Sequence, residues 1–176
     1  MRWAAMLKGI NLGKRTLVKA DLLAAAEAAG FTEAKTLLAS GNLVFEAGSK
    51  EPEAIERALH DAVKSATGIA SDVFVRNKAE LEAAIKANPL ADAAEDHPSH
   101  FVVSFAHEKL PADLTKRIAE LYQGPERVAV VGRELFADFP DGQARSGLIP
   151  AMAKLRPVIP MTGRNWNTVR KLADML

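Results

Sequence analysis

Cysteine is absent from the 176 residues, which excludes disulfides and thiolate-bound metals. Aromatic residues make up only 6% of the chain, with two Trp and one Tyr, so a core has to be built from aliphatic side chains. Long apolar runs are missing too. The stretch Trp3-Ala4-Ala5-Met6-Leu7 is far short of the ~20 residues that cross a bilayer, and it is too short for the apolar centre of a signal peptide. The expectation is a soluble, cytoplasmic protein with no membrane partner. Neither G-x-x-x-x-G-K-[ST] nor G-x-G-x-x-G occurs, so the two common nucleotide-loop fingerprints are excluded. The four histidines, His60, His97, His100 and His107, include no H-E-x-x-H pair. They read as surface residues, and no metal site is expected.

Acid is absent from residues 1–20, which carry Arg2, Lys8, Lys14, Arg15 and Lys19. Residues 145–176 hold six cations against Asp174, while residues 21–144 hold twelve cations against twenty-one acids. The net charge of +1 therefore hides two basic ends around an acidic middle. If the ends meet they form one basic surface that attracts anions. Alternatively they pair with the acidic middle as solvated ion pairs, each contributing little.

Hydrophobic residues at 48% and charged residues at 26% are ordinary for a globular chain. Trp3–Leu7 reads as a strand buried on both faces. Val18, Leu22, Leu23, Ala26 and Ala29 then form a helical stripe over residues 16–29, with Gly30 and Phe31 closing it. Strands follow at 35–39 and 43–46 around Ser40-Gly41-Asn42, a turn whose residues tolerate positive φ. Pro52 opens a second helix that Gly68 ends, and residues 72–76 alternate as a strand. The order β-α-β-β-α-β is the ferredoxin-like arrangement. Asn77 and Glu80 form a capping-box pattern before a short helix that stops at Asn88-Pro89. Residues 89–100 read as a polar linker. The order then repeats. A strand at 101–106 and a helix from Pro111 come first. A hairpin over 127–139 turns at Gly132-Arg133, a short helix is marked by Leu148 and Leu155, and Val158-Ile159 reads as the last strand. The expectation is α+β: a ferredoxin-like half at 1–88, a linker at 89–100, and a second half at 101–176 with a closing C-terminal helix.

Three polar stretches stand out. Lys8-Gly9-Ile10-Asn11-Leu12-Gly13-Lys14 follows the first strand, Ser40-Gly41-Asn42 sits in a turn, and Arg164-Asn165-Trp166-Asn167-Thr168 starts the last helix. Together they resemble the bacterial domain-of-unknown-function family 1697. Leu7-Lys8-Gly9-Ile10-Asn11-Leu12-Gly13 is similar to that family's opening, Ser40-Gly41-Asn42-Leu43-Val44-Phe45 to its S-G-N-V-V-F, and Arg164 to Val169 with Lys171-Leu172 to its T-R-N-W-N-T-V-x-K-L ending. The resemblance implies an α+β fold of ferredoxin-like halves and carries no reaction with it. The chain departs from the family at Lys8, where arginine is usual, at Lys14, where glycine is usual, and at Gly147, where the family has the lysine of S-K-L. A lysine replaces a bidentate fork by a point charge.

Glycines that turn N–H groups toward one point, beside cations, suit an anion, although Gly9 and Gly13 also serve simply to turn the chain. The expected ligand set is Lys8, Gly9, Asn11 and Lys14 from the first loop, Ser40 and Asn42 from the turn, and Arg164, Asn165 and Thr168 from the last helix. Trp166 would stack on the ligand or wall it in. The structural alternatives are an Asx turn for Asn42, core packing for Trp166 and an ion pair for Arg164. A phosphate-bearing small molecule or nucleotide is the favoured partner, ahead of nucleic acid, because neither central strand shows the exposed aromatics of an RNA-recognition sheet. An enzyme acting on such a ligand, or an interaction module without one, are the alternatives. No catalytic residue, cofactor or oligomeric state is assignable.

Overall fold

The computed structural model describes residues 1–10, 16–38, 41–48 and 51–176. They divide into two compact units, Met1–Glu82 with Lys171–Leu176, and Ala83–Arg170.

In the first unit β1 (Arg2–Leu7), α1 (Lys19–Ala28), β2 (Thr32–Leu37), β3 (Asn42–Glu46), α2 (Pro52–Thr67) and β4 (Val73–Asn77) follow one another. The antiparallel sheet has the order β2-β3-β1-β4, with Trp3 opposite Phe45 and Asn77. One face, through Trp3, Ala5, Leu7, Leu43, Phe45 and Val75, joins Leu22, Ala26, Ile55, Leu59 and Val63 of the two helices in one core. The other face is buried as well, through Ala4, Met6, Val44 and Phe74. Burial on both sides is why β1 has no polar alternation. Gly68 takes φ +73° at the end of α2, and its N–H donates to Lys64 O at 2.8 Å, a left-handed helix stop. Phe31 folds back after α1, its N–H on Ala26 O at 3.0 Å and its ring stacked on Phe45 at 4.4 Å.

The second unit carries the end of α3 (Lys78–Lys86), then α4 (Ala91–Asp96), β5 (Phe101–Ala106), α5 (Leu114–Leu121), β6 (Arg127–Val131), β7 (Glu134–Asp138), a 3-10 turn at Gln143–Arg145, α6 (Leu148–Met152), β8 (Met161–Asn165) and the start of α7 (Trp166–Met175). Its antiparallel sheet has the order β6-β7-β5-β8, the first sheet's order repeated. Val102, Ala106, Leu135 and Ala137 share a core with Leu114, Ile118 and Leu148.

Four expectations need correction. The last strand is not Val158-Ile159, since Val158 is 65% exposed, but Met161–Asn165. That segment is polar, yet its backbone pairs with β5, and Thr162 and Arg164 point to a buried side. The first helix starts at Lys19 rather than Thr16, and the second strand ends at Leu37. Residues 89–100, read as a linker, contain α4, with Ala93 and Ala94 buried. The Asn77–Glu80 capping box is present: Asn77 N–H donates to Glu80 Oε2 at 2.9 Å, and Glu80 N–H to Asn77 Oδ1 at 3.0 Å. Among the described residues no helix is long and apolar enough to cross a membrane.

Candidate functional site

In the first unit the end of β1, which leads into the first motif, meets Gly41 of the second. Leu7 N–H donates to Gly41 O at 2.9 Å, while Lys8 N–H donates to Asp72 O at 2.9 Å and Ser71 Oγ donates to Lys8 O at 2.7 Å. Lys8 and Gly9 are exposed beyond the end of β1. Asn11, Lys14 and Ser40 lie outside the described residues. Asn42 is 0% exposed, and its Nδ2 donates to Leu37 O at 3.1 Å, tying β3 to β2 across the turn. Its amide is committed to the fold.

Gly41 takes φ +68°, and a Cβ there would collide with Ile10 Cδ1 and lie 3.2 Å from Leu7 Cβ. Gly41→Ala is therefore expected to lower stability by roughly 1–3 kcal/mol, the range for a strained left-handed residue. Denaturant unfolding measures this. An unchanged midpoint would show that this turn is free to relax.

The third motif lies in the second unit and is half strand, half helix. Arg164 is 9% exposed, and its Nη1 donates to Thr162 Oγ1 at 2.9 Å and to Gly163 O at 2.8 Å. Burial lowers the guanidinium's pKa from its ordinary value to about 10. Asn165 Oδ1 accepts the Thr168 N–H at 2.9 Å, capping α7, and Thr168 is buried. Trp166 N–H reaches Pro98 O at 3.2 Å, and its ring meets Phe101 edge to face at 5.5 Å and 86°.

The same device occurs in the first unit, where the sequence reading missed it. Arg76, 1% exposed, donates from Nη1 to Val75 O at 2.9 Å, and Asn77 caps α3. Each unit thus ends its last strand on Arg-Asn, with the guanidinium folded onto the preceding carbonyl and the asparagine opening the next helix. The repeated dipeptide was the available signal.

A cavity of about 510 Å³ opens in the second unit, lined by Lys86 at the end of α3 and Asn88 after it, Glu95 of α4 and Pro98 after it, and Trp166 and Arg170 of α7. Asn88 Oδ1 accepts the Leu90 N–H at 2.9 Å, but its buried Nδ2 has no hydrogen-bond partner. Lys86, Glu95 and Arg170 are exposed, and no ion pair joins them to one another. Of these residues only Trp166 stood out in the sequence. Arg170 lies four residues further along α7, which places both on one helix face.

On the sheet's edge His97 Nε2 lies 2.5 Å from Asp138 Oδ1, Asp138 Oδ2 accepts Arg127 Nε at 3.3 Å, and Arg127 Nη2 donates to Asp92 Oδ2 at 2.8 Å. The Arg127 hydrogen bond holds the exposed Asp92 carboxyl below its ordinary range. Asp92 and His97 thereby fix α4, the helix that supplies Glu95 to the cavity. Among the described residues no cluster of three histidines or carboxylates could hold a metal ion. Gly147, where the resembling family carries lysine, lies against Tyr122. A Cβ there would come 3.2 Å from the ring's Cζ and closer to Cε2, so the tyrosine occupies the space of any side chain.

The family described as "Protein of unknown function (DUF1697)" matches residues 1–136. The chain belongs to DUF1697. No curated protein matches it. This DUF1697 chain is similar to a solved structure, "The structure of conserved bacterial protein SP0830 from Streptococcus pneumoniae", at 20% identity. That likeness covers 99% of this chain and 97% of the other, with a TM-score of 0.77. At such an identity it shows the shared fold and nothing of a ligand.

Proposed function

We propose that this DUF1697 chain binds a small phosphate-bearing molecule in the cavity bounded by α3, α4 and α7. The observation that carries the reading is Asn88, a residue of the cavity wall whose buried Nδ2 has no hydrogen-bond partner. A buried unsatisfied donor costs about 1–3 kcal/mol, and a ligand oxygen or ring nitrogen would remove that penalty. Lys86 and Arg170 supply positive charge, and Arg170 offers the planar fork that suits phosphate. Trp166 gives the cavity an apolar wall. The reading favours this cavity over the three motif loops because the polar side chains of Asn42, Arg164 and Asn165 are hydrogen-bonded within the fold and Thr168 is buried. Lys8 and Gly9 are exposed at the end of β1 and do not line this cavity.

A thermal-shift panel tests this with inorganic phosphate, sugar phosphates, nucleotides and a short RNA. A ligand at 100 times its dissociation constant adds about 2.7 kcal/mol to stability. The shift is expected in the wild type and in Lys8→Ala, and is lost in Lys86→Ala/Arg170→Ala, whose unliganded stability stays within ~0.5 kcal/mol of wild type because both positions are exposed. A shift that survives the double substitution would remove the ligand from this cavity. RNA as the true partner would show affinity falling steeply with salt, as counterions leave the phosphates.

A further inference from the structure

The cavity is mixed in charge. Lys86 and Arg170 line it with Glu95, unpaired with one another, and so does Asn88, whose buried Nδ2 has no hydrogen-bond partner. A ligand that is anionic throughout would satisfy the cations and be repelled by Glu95. A ligand that fits all four groups carries an anion, a hydrogen-bond donor for a carboxylate and an acceptor for an amide. A volume of about 510 Å³ lies within the ~300–1,000 Å³ of sites that enclose whole small molecules, well beyond a bare phosphate. The indole of Trp166 supplies a flat apolar surface at its wall.

We infer that the ligand is a nucleoside monophosphate whose base carries an exocyclic amine, adenine or cytosine. Its phosphate sits with Lys86 and Arg170, Glu95 accepts from the amine, and Asn88 donates to the adjacent ring nitrogen. This rests on the anion site proposed above. Adenine and cytosine both present a donor beside an acceptor on their pairing edge, and a carboxylate with an amide N–H is the complement. Hypoxanthine and uracil present the reverse order, a carbonyl beside a ring N–H, so each would set oxygen against the Glu95 carboxylate and N–H against the Asn88 amide. Glu95 is then the residue that sets base preference, and Lys86 with Arg170 sets affinity.

Calorimetric titration of the full chain with AMP, IMP, CMP, UMP and ribose phosphate decides it. AMP and CMP are expected to bind roughly tenfold or more tighter than IMP and UMP, the scale of one hydrogen bond to a charged group. Glu95→Gln, an exposed change that leaves the fold intact, should bring the AMP to IMP ratio close to one while phosphate affinity is kept, because a glutamine amide turns to donate or accept. Equal binding of AMP and IMP, or ribose phosphate binding as tightly as AMP, would overturn the base preference and leave the anion site standing. No binding by any phosphate, ribose phosphate included, would overturn both. An unaltered ratio in Glu95→Gln would remove Glu95 from the recognition.

Discussion

Arg164→Ala is expected to lower the unfolding free energy by about 3 kcal/mol while leaving the ligand-induced shift intact. The side chain is 9% exposed, and its guanidinium donates to Thr162 Oγ1 and Gly163 O. Truncation removes a charge-assisted donor from the buried Thr162 hydroxyl and from the carbonyl of the exposed Gly163, and opens a void where the guanidinium lay. Losing one member of a buried polar cluster costs about 3–5 kcal/mol in the severe cases, and about 1–3 kcal/mol for each group left unsatisfied. Desolvation of the charge, visible as a pKa lowered to about 10, opposes this and holds the net loss to the lower part of that range. For a chain of this size such a loss moves Tm down by roughly 6–12 °C. Arg164→Lys should recover little, because a single ammonium cannot reproduce two directed bonds. Arg76→Ala should cost at least as much, since Arg76 is 1% exposed at the equivalent place in the other unit. Thermal unfolding of the three variants with and without phosphate separates the roles. A variant that keeps its Tm and loses the phosphate shift would return Arg164 to the ligand.

Much of the fold was legible because local signals agreed with each other. The unbroken apolar run of β1 announced burial on both faces, the glycines after α1 and α2 marked helix ends, and the Asn77–Glu80 pair marked a helix start. What was hidden depends on distant partners. Thr162-Gly163-Arg164-Asn165 is polar and reads as a loop, yet β5 supplies the hydrogen bonds that make it a strand. Gly163 fits there because its face crowds Val102, whose Cγ1 would lie 3.0 Å from any Cβ. Once the segment is a strand, Arg164 is carried into the interior, and only its recurrence as Arg-Asn, shared with Arg76-Asn77, sets that arginine apart from an exposed one. The short α4 has no apolar stripe beyond Ala93 and Ala94, so composition alone made it a linker. The cavity joins the neighbouring helices α3 and α4 to the distant α7, with cations that look like ordinary helix surface until the walls are placed. Motif residues were visible as unusual, but the same polarity that suggested a ligand serves capping, turn closure and the buried guanidinium.

Asn42→Asp is the sharper test of the Ser-Gly-Asn motif, because it separates a structural amide from a ligand-facing one by pH. Asn42 is 0% exposed and donates from Nδ2 to Leu37 O at 3.1 Å. An alanine there leaves that carbonyl unsatisfied and should cost about 2 kcal/mol. An aspartate also buries an acid and places a carboxylate oxygen where the carbonyl expects a donor. Both effects disfavour the ionised form, so the new carboxyl's folded pKa rises above the ordinary value of about 4. The folded state then holds the proton more tightly than the unfolded state. Stability is fully retained below the unfolded pKa and is lost as pH climbs toward the raised one. Asn42→Asp should therefore cost only about 1 kcal/mol near pH 4, where a protonated carboxyl still donates to Leu37 O, and 3 kcal/mol or more at about pH 7, where ionisation is enforced at the expense of the fold. Asn42→Ala should show no such dependence. Urea unfolding of both variants at the two pH values, referred to wild type at each, measures the difference. Equal penalties at both pH values would mean that position 42 reaches water, and the turn would then be open to a ligand rather than closed over the sheet.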